Sequence, residues 1–358
     1  MPWEILKYSK FEINNAGKVL IRNNSSEQDK DKALEILDNW RAVHSYPMHV
    51  FQMRLRDRSL RLDSNPIIAQ RLKRVPAIIY KLKRSFNGRR PSMKLYQMQD
   101  IGGCRAVLSN ISDARKLCED YYLKGDLKHK RVNFKDYIHK PKDDGYRGLH
   151  LVYEYKSDKK GKKQLFNGLR IEVQIRSKLQ HLWATAVETV DFFTRQPIKT
   201  SEGNPEWANF FKFVSSAFAM LENCPRVPNT PMDEKELYSD IKKKEKELGV
   251  VSKMRGWTSG MKYFEEEIKT KVAKKVKYFL LELDILGNKL NITSYAKEEE
   301  QKALSEYSAI EKRHSGQKDY DMVLVGVDAV KDLKKAYPNY FVDTGEFLSY
   351  LDKIVKKY

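Results

Sequence analysis

The sequence predicts an α/β protein, with a mixed β-sheet core flanked by helices and a small C-terminal α+β domain behind it. Three observations predict it. Helical and extended patterns alternate between residue 61 and about residue 225. Leu169 to Arg176 alternates cleanly, with Leu169, Ile171, Val173 and Ile175 on one face and Arg170, Glu172, Gln174 and Arg176 on the other. Beyond residue 276 the order reads strand, strand, helix, strand, helix.

Residues 1–60 read as N-terminal helices that pack on the core. Lys32 to His44 carries Ala33, Leu34, Ile36, Leu37, Trp40 and Val43 near a 3.6 period, Pro47 is expected to break it, and Met48 to Leu60 restarts a helix. Residues 61–225 hold the chemistry. There, Arg71 to Arg84 reads as an amphipathic helix interrupted near Pro76, Arg105 to Leu108 as a strand, and Ser112 to Tyr122 as a helix. Gly148 to Tyr155 and Leu169 to Arg176 read as strands, and Lys178 to Phe193 as a helix. Pro205, Pro225, Pro228 and Pro231 mark a boundary, followed by a charged helical linker over 226–265. Residues 266–358 form the C-terminal α+β domain, expected to serve regulation or recognition. Its elements are a hairpin, Tyr278 to Tyr295 with its turn at Leu286-Gly287-Asn288, a helix Glu298 to His314, a strand Asp321 to Val327, and helices Ala329 to Ala336 and Glu346 to Tyr358.

The chain has 358 residues and a formal charge of +20, a balance that favours anionic partners such as nucleotides or nucleic acid. No apolar run approaches the ~20 residues of a membrane span, and Met1-Pro2-Trp3-Glu4 lacks the layout of a signal peptide. Cys104, Cys118 and Cys224 show no metal-ligand spacing and no even disulfide set. A reduced, cytoplasmic protein is expected.

Four segments carry chemistry. Arg71 to Lys94 holds nine Lys or Arg and no Asp or Glu, so its cations repel one another until an anion arrives. Asp100-Ile101-Gly102-Gly103-Cys104-Arg105 opens a strand. Asp100 suits Mg²⁺, which takes one or two carboxylates plus phosphate oxygens, and Arg105 suits bidentate phosphate contact. Lys135 to His150 mixes cations, carboxylates, aromatics and a turn glycine, where Lys142 can pair with phosphate and Tyr146 can stack on a base. Finally, Arg170 to Arg176 presents a polar face on which Glu172 is placed to join Asp100 at a metal or to take a proton from a hydroxyl. The plain alternatives are an exposed basic helix for the first, a structural Asp before a glycine turn for Asp100, an ordinary turn at Asp144-Gly145, and a solvated sheet face for Arg170 to Arg176. Trp183 on the following helix reads as core.

In this order the four segments resemble the synthetase domain of the RelA/SpoT family, the alarmone synthetases, over roughly residues 61–195. The family's basic motif is matched at Arg71, Lys73, Ile78 and Lys81, with Ala77 in place of its Ser. The Asp-x-x-Gly-x-Arg motif is matched at Asp100, Gly103 and Arg105. The long Lys-Asp-Tyr-Ile motif is matched at Lys135, Asp136, Tyr137, Ile138, Pro141, Lys142, Gly145, Tyr146 and His150, with Asp144 where Asn is usual and Gly148 where Ser is usual. Glu-Val-Gln-Ile-Arg is intact at Glu172 to Arg176.

The resemblance implies a nucleotidyltransferase-like mixed sheet and transfer of pyrophosphate from ATP to the 3′-hydroxyl of GDP or GTP. Asp100 and Glu172 are then the catalytic and Mg²⁺-binding acids. Arg71, Lys73, Lys81, Arg105, Lys135 and Lys142 bind ATP and phosphate. Tyr146, His150, Asp144, Gln174 and Arg176 lie on the acceptor side. The family's His-Asp hydrolase motif does not occur here, so a synthetase-only chain is expected. The charge and the altered positions keep open a second reading, a toxin or phage-defence enzyme that pyrophosphorylates the tRNA 3′ end. A third reading is an inert nucleic-acid-binding protein on the same fold, against which both acids argue. A regulatory protein bound through the C-terminal domain and a homo-oligomer are the further partners expected.

Overall fold

The helical run over residues 32–44 does end ahead of Pro47, and Pro76 opens a helix instead of interrupting one. In a computed structural model of the chain, Pro47 lies in the first turn of a helix Ser45–Leu60 and Pro76 in the first turn of a helix Val75–Lys83. The N–H groups of a first turn have no intrahelical acceptor, so proline costs nothing there. The structure describes residues 3–84, 93–125, 127–158, 161–194, 205–269, 276–284, 289–314, 320–326 and 340–357. The chain forms two compact units, Met1–Ile138 with Gly148–Lys178, and His139–Arg147 with Leu179–Tyr358.

The first unit opens with α1 (Lys10–Ile21), α2 (Glu27–Ala42) and α3 (Ser45–Leu60). Ser9 and Glu12 close a capping box on α1, and the Ser26 side chain caps α2. Then come β1 (Ile67–Leu72), α4 (Val75–Lys83), β2 (Gly102–Leu108) and α5 (Ile111–Lys116), the last continued to Leu123 by a wider π-type turn. The unit closes with β3 (Lys130–Asp136), β4 (Leu149–Glu154) and β5 (Arg170–Ser177). The expected helix from Arg71 is corrected: Arg71 and Leu72 end strand β1, and the helix begins only at Val75, where Pro76 fixes a helical φ. Lys135 and Asp136, read as loop, lie on β3, whose exposed Lys and Arg residues hide its strand pattern.

The sheet order is β1-β2-β5-β4-β3. β2 and β5 run parallel and the other pairings are antiparallel, so the sheet is mixed as expected. Cys104, Ala106, Leu149, Leu151, Ile171, Val173 and Ile175 are buried on one face. The Cys104 thiol donates to the Met48 carbonyl of α3 at 3.3 Å, and burial pushes its pKa up to about 12, the state of a packing residue rather than a nucleophile.

The second unit contains α6 (Lys178–Thr194), α7 (Pro205–Leu221), α8 (Glu234–Leu248), α9 (Val250–Lys269), β6 (Val276–Asp284), β7 (Lys289–Ala296), α10 (Glu300–Arg313), β8 (Tyr320–Gly326) and α11 (Tyr340–Lys356). Its antiparallel sheet is ordered β7-β6-β8. Trp183, Val187, Phe211, Phe218, Trp257, Phe279, Phe347 and Leu351 share one core, in which Phe193 stacks on Trp257 at 5.0 Å. Residues 226–265, read as a linker, thus supply buried side chains to the core that α6, α7 and α11 also build. Gly249 at φ 63° turns the chain between α8 and α9. The hairpin turn at residues 286–288 and the helix expected at residues 329–336 lie outside the described residues.

Candidate functional site

Sheet register gathers the polar residues of the first unit. Gly103 lies opposite both Arg71 and Glu172, Gln174 opposite Arg105 and His150, and His150 opposite Lys135. Residues paired across strands share a face. The face opposite the apolar core therefore carries Arg71, Arg105, Glu172, Gln174, Arg176, His150 and Lys135. Gly103 stands in the row between Arg71 and Glu172, with Glu172 backbone oxygen 3.5 Å from where a Cβ would sit.

Glu172 is tightly held. His150 Nδ1 lies 2.9 Å from its Oε1, and Gln174 donates to its Oε2 at 2.7 Å. Arg176 in turn donates to Gln174 Oε1 at 3.1 Å, which orients the amide. Desolvation pushes the Glu172 pKa up, but the His150 and Gln174 hydrogen bonds and the charges of His150 and Lys81 outweigh it and bring it down to about 2. Glu172 is ionised at any physiological pH.

Asp100 precedes β2 and meets two cations. Lys73, just beyond β1, donates to its Oδ2 at 3.0 Å, and Lys81 on α4 lies 2.9 Å from both oxygens. The backbone fixes this approach, since Lys73 N–H donates to the Ile101 carbonyl at 2.8 Å. Desolvation raises the Asp100 pKa, and the Lys73 and Lys81 charges overcome it and hold the carboxyl below its usual range. Lys81 depresses both acids, so one ammonium group serves two carboxylates. Two ionised carboxylates offer hard oxygen ligands of the kind Mg²⁺ takes when phosphates complete its shell. The residues present fit that ion.

The loop His139–Arg147 belongs to the second unit. Gly145 N–H donates to the Lys142 carbonyl at 2.9 Å, and Lys142 N–H to the Tyr146 carbonyl at 3.1 Å. Asp144 Oδ1 accepts the Tyr146 N–H at 2.8 Å, an Asx turn. The Lys142 ammonium sits 5.1 Å from the centre of the half-buried Tyr146 ring, and Trp183 lies edge-on to that ring at 6.4 Å. The structure thus groups Asp100 with Lys73 and Lys81, Glu172 with His150, Gln174 and Arg176, and Lys142 with Asp144 and Tyr146.

Sequence reasoning missed Arg147, Ser215 and Glu222. Ser215 Oγ donates to the Gly145 carbonyl at 2.6 Å, and Arg147 Nη1 to Glu222 Oε2 at 2.9 Å. These partners are 70 and 75 positions apart, and no local signal in the chain announces them.

Residues 70–191 match the region found in RelA / SpoT proteins. GTP pyrophosphokinase YjbM of Bacillus subtilis (strain 168) is 30% identical over 133 residues, 36% of this chain and 59% of that protein. GTP pyrophosphokinase YwaC of the same organism is 32% identical over 123 residues, 34% of this chain and 56% of that protein. The chain therefore spans less than two thirds of either curated relative. Among solved structures, small alarmone synthetase 1 from Bacillus subtilis bound to its product pppGpp is 20% identical with a TM-score of 0.44, covering 53% of this chain and 94% of that one. Small alarmone synthetase 2 from Bacillus subtilis is 24% identical with a TM-score of 0.42, covering 52% and 94%. Lys73, Lys81, Asp100, Tyr146, His150 and Glu172 all lie within the segment that matches the region found in RelA / SpoT proteins.

Proposed function

We propose that this chain transfers the β,γ-pyrophosphate of ATP to the 3′-hydroxyl of GDP or GTP, giving a (p)ppGpp-type product and AMP. The observation that carries this reading is the pair of ionised carboxylates, Asp100 and Glu172, set among phosphate-binding cations within the RelA/SpoT region. The two relatives named GTP pyrophosphokinases support the reaction class and the acceptor.

In this reading the 3′-oxygen of the acceptor forms a bond to the β-phosphorus of ATP. The bond from that phosphorus to the oxygen bridging it to the α-phosphate breaks, and AMP leaves with the bonding electrons. Such a transfer needs positioning and charge stabilisation more than covalent help from the protein. Arg71, Lys73, Lys81, Arg105, Lys135 and Lys142 neutralise phosphate oxygens. Glu172 accepts a hydrogen bond from the attacking hydroxyl and orients it. Its low proton affinity makes it a poor store for the proton, which passes to solvent as the new bond forms. Tyr146 stacks on the acceptor base, with Lys142 beside its ring. Asp100 and Glu172 would hold Mg²⁺, which supplies further neutralisation of the phosphate charge. For Asp100 to serve, Lys73 and Lys81 must turn from its oxygens to the triphosphate, a more highly charged partner.

The test is an acceptor panel. The purified chain is given Mg²⁺ and ATP labelled at the β-phosphate, with GDP, GTP, AMP or deacylated tRNA, and the products are separated. Label is expected on GDP or GTP, with one AMP released per transfer. Label entering tRNA alone would overturn the acceptor, and label entering none of the four would overturn the reaction.

A further inference from the structure

A buried ion pair joins the RelA/SpoT region to a residue beyond it, and it seizes the residue next to Tyr146. The side chains of Arg147 and of Glu222, which follows the end of α7, are 1% and 6% exposed. Gln180 Nε2 approaches the same Glu222 oxygen at 3.4 Å. Arg147 Nε and Nη2 are buried and find no hydrogen-bond partner among the described residues. A buried arginine so incompletely satisfied is a poor device for stability, because desolvation takes back most of what the pair provides. What such a pair does supply is registry, a single position for the chain that carries it.

Two further contacts fix the other side of Tyr146. The Ser215 hydroxyl of α7 donates to the Gly145 carbonyl at 2.6 Å. Gly145 has φ +93°, and a Cβ there would sit 3.0 Å from Trp183 Cζ2 and 3.3 Å from Ser215 Cβ. The backbone is therefore pressed against α6 and α7 in a conformation that glycine alone adopts without strain. Tyr146 sits between these two clamps, and its own N–H is taken by Asp144.

We propose that Glu222, through Arg147, and Ser215, through Gly145, are positioning residues that set acceptor affinity by holding Tyr146 in one place. Both lie beyond residue 191, where the RelA/SpoT match ends. The acceptor-binding loop is thus tuned by α7, an element outside the shared region. The inference rests on the proposed role of Tyr146 in binding the acceptor base.

The experiment compares the full-length wild type with Glu222→Gln, Ser215→Ala and the double variant Arg147→Met with Glu222→Met. Steady-state kinetics are run with ATP and GDP, and GDP binding is measured separately by calorimetry. Glu222→Gln is expected to raise the KM and Kd for GDP about tenfold, with the KM for ATP and kcat at saturating GDP within about twofold of wild type. Ser215→Ala is expected to shift GDP alone by a smaller factor. The double variant removes both charges and keeps an apolar filling. It is expected to melt at or above the wild-type temperature and still bind GDP weakly. Unchanged GDP affinity in Glu222→Gln, equal losses for ATP and GDP, or full recovery of GDP affinity in the double variant would each overturn the proposal. If the wild type binds GDP but makes no product, the reaction fails while the calorimetry still judges the positioning. If the wild type does not bind GDP, the proposal fails with the acceptor assignment.

Discussion

Asp144 stands where the related motif has Asn, yet its Oδ1 accepts the Tyr146 N–H as an amide oxygen would. The turn is preserved and one negative charge is added to the loop that carries Tyr146. Gly148, in place of Ser, has φ +152°, a conformation that side-chain-bearing residues avoid, so this departure follows the backbone. Nothing in the structure explains Ala77. At Asp100 the residue chemistry yields a prediction. Lys81 Nζ lies 2.9 Å from each Asp100 oxygen and stands where a cation would bind. The free protein is therefore expected to bind Mn²⁺ poorly, and Lys81→Met to bind it about tenfold more tightly, read by electron paramagnetic resonance without nucleotide. Equal Mn²⁺ affinity in the two proteins would contradict the lysine's hold on this acid. Asp100, Glu172 and Tyr146 stand out in the sequence because each lies in a local motif. Lys81 as the partner of Asp100 does not, since the pairing depends on how α4 folds back toward the start of β2.

At the scale of elements, strands with one buried face were read from alternation, as β5 shows. β3 was missed because its exposed lysines and arginine carry no such pattern, and the Arg71 segment was read as helix because its cations mask the end of β1. Between α2 and α3 lies a buried histidine that ties these helices to the sheet. His44 Nδ1 is 2.7 Å from the Trp40 carbonyl, and a Cβ on Gly102 of β2 would meet His44 Cβ at 3.2 Å. Desolvation lowers its pKa to about 4 against the partial opposition of the Trp40 carbonyl. A group whose folded pKa is depressed stabilises the fold above its unfolded pKa of about 6.5 and loses that contribution as pH falls toward 4. The wild type is expected to lose roughly 3 kcal/mol over this window from His44 alone. Urea unfolding at a series of pH values is expected to show a flatter profile for His44→Gln. The same slope in both proteins would remove His44 as its source.

Across the whole molecule, the sequence suggested a linker followed by a separable C-terminal domain. The alternation of strands and helices there was legible, but not where its helices pack, because a core is defined by contacts between distant segments. Phe347, Leu348, Leu351 and Ile354 of α11 lie in the same core as Trp183 of α6 and Phe211 of α7. Burial of such side chains contributes ~1.5–3 kcal/mol each, so the four together rival the ~5–15 kcal/mol of a domain's whole stability. Deleting residues 340–358 is therefore expected to unfold the second unit, seen as rapid proteolysis beyond residue 179. Proteolysis at the wild-type rate would show that α11 is dispensable to the core.

Asp100 and Glu172 are proposed to support pyrophosphate transfer to a guanosine nucleotide. The most direct measurement is the rate at which label passes from β-labelled ATP to GDP in the wild type and in Glu172→Gln. Labelled product and equimolar AMP are expected from the wild type, with a rate lower by about 10²-fold or more in the variant, whose missing charge leaves the hydroxyl poorly oriented. Transfer at the wild-type rate by Glu172→Gln, or no transfer by the wild type, would remove that role from the two acids.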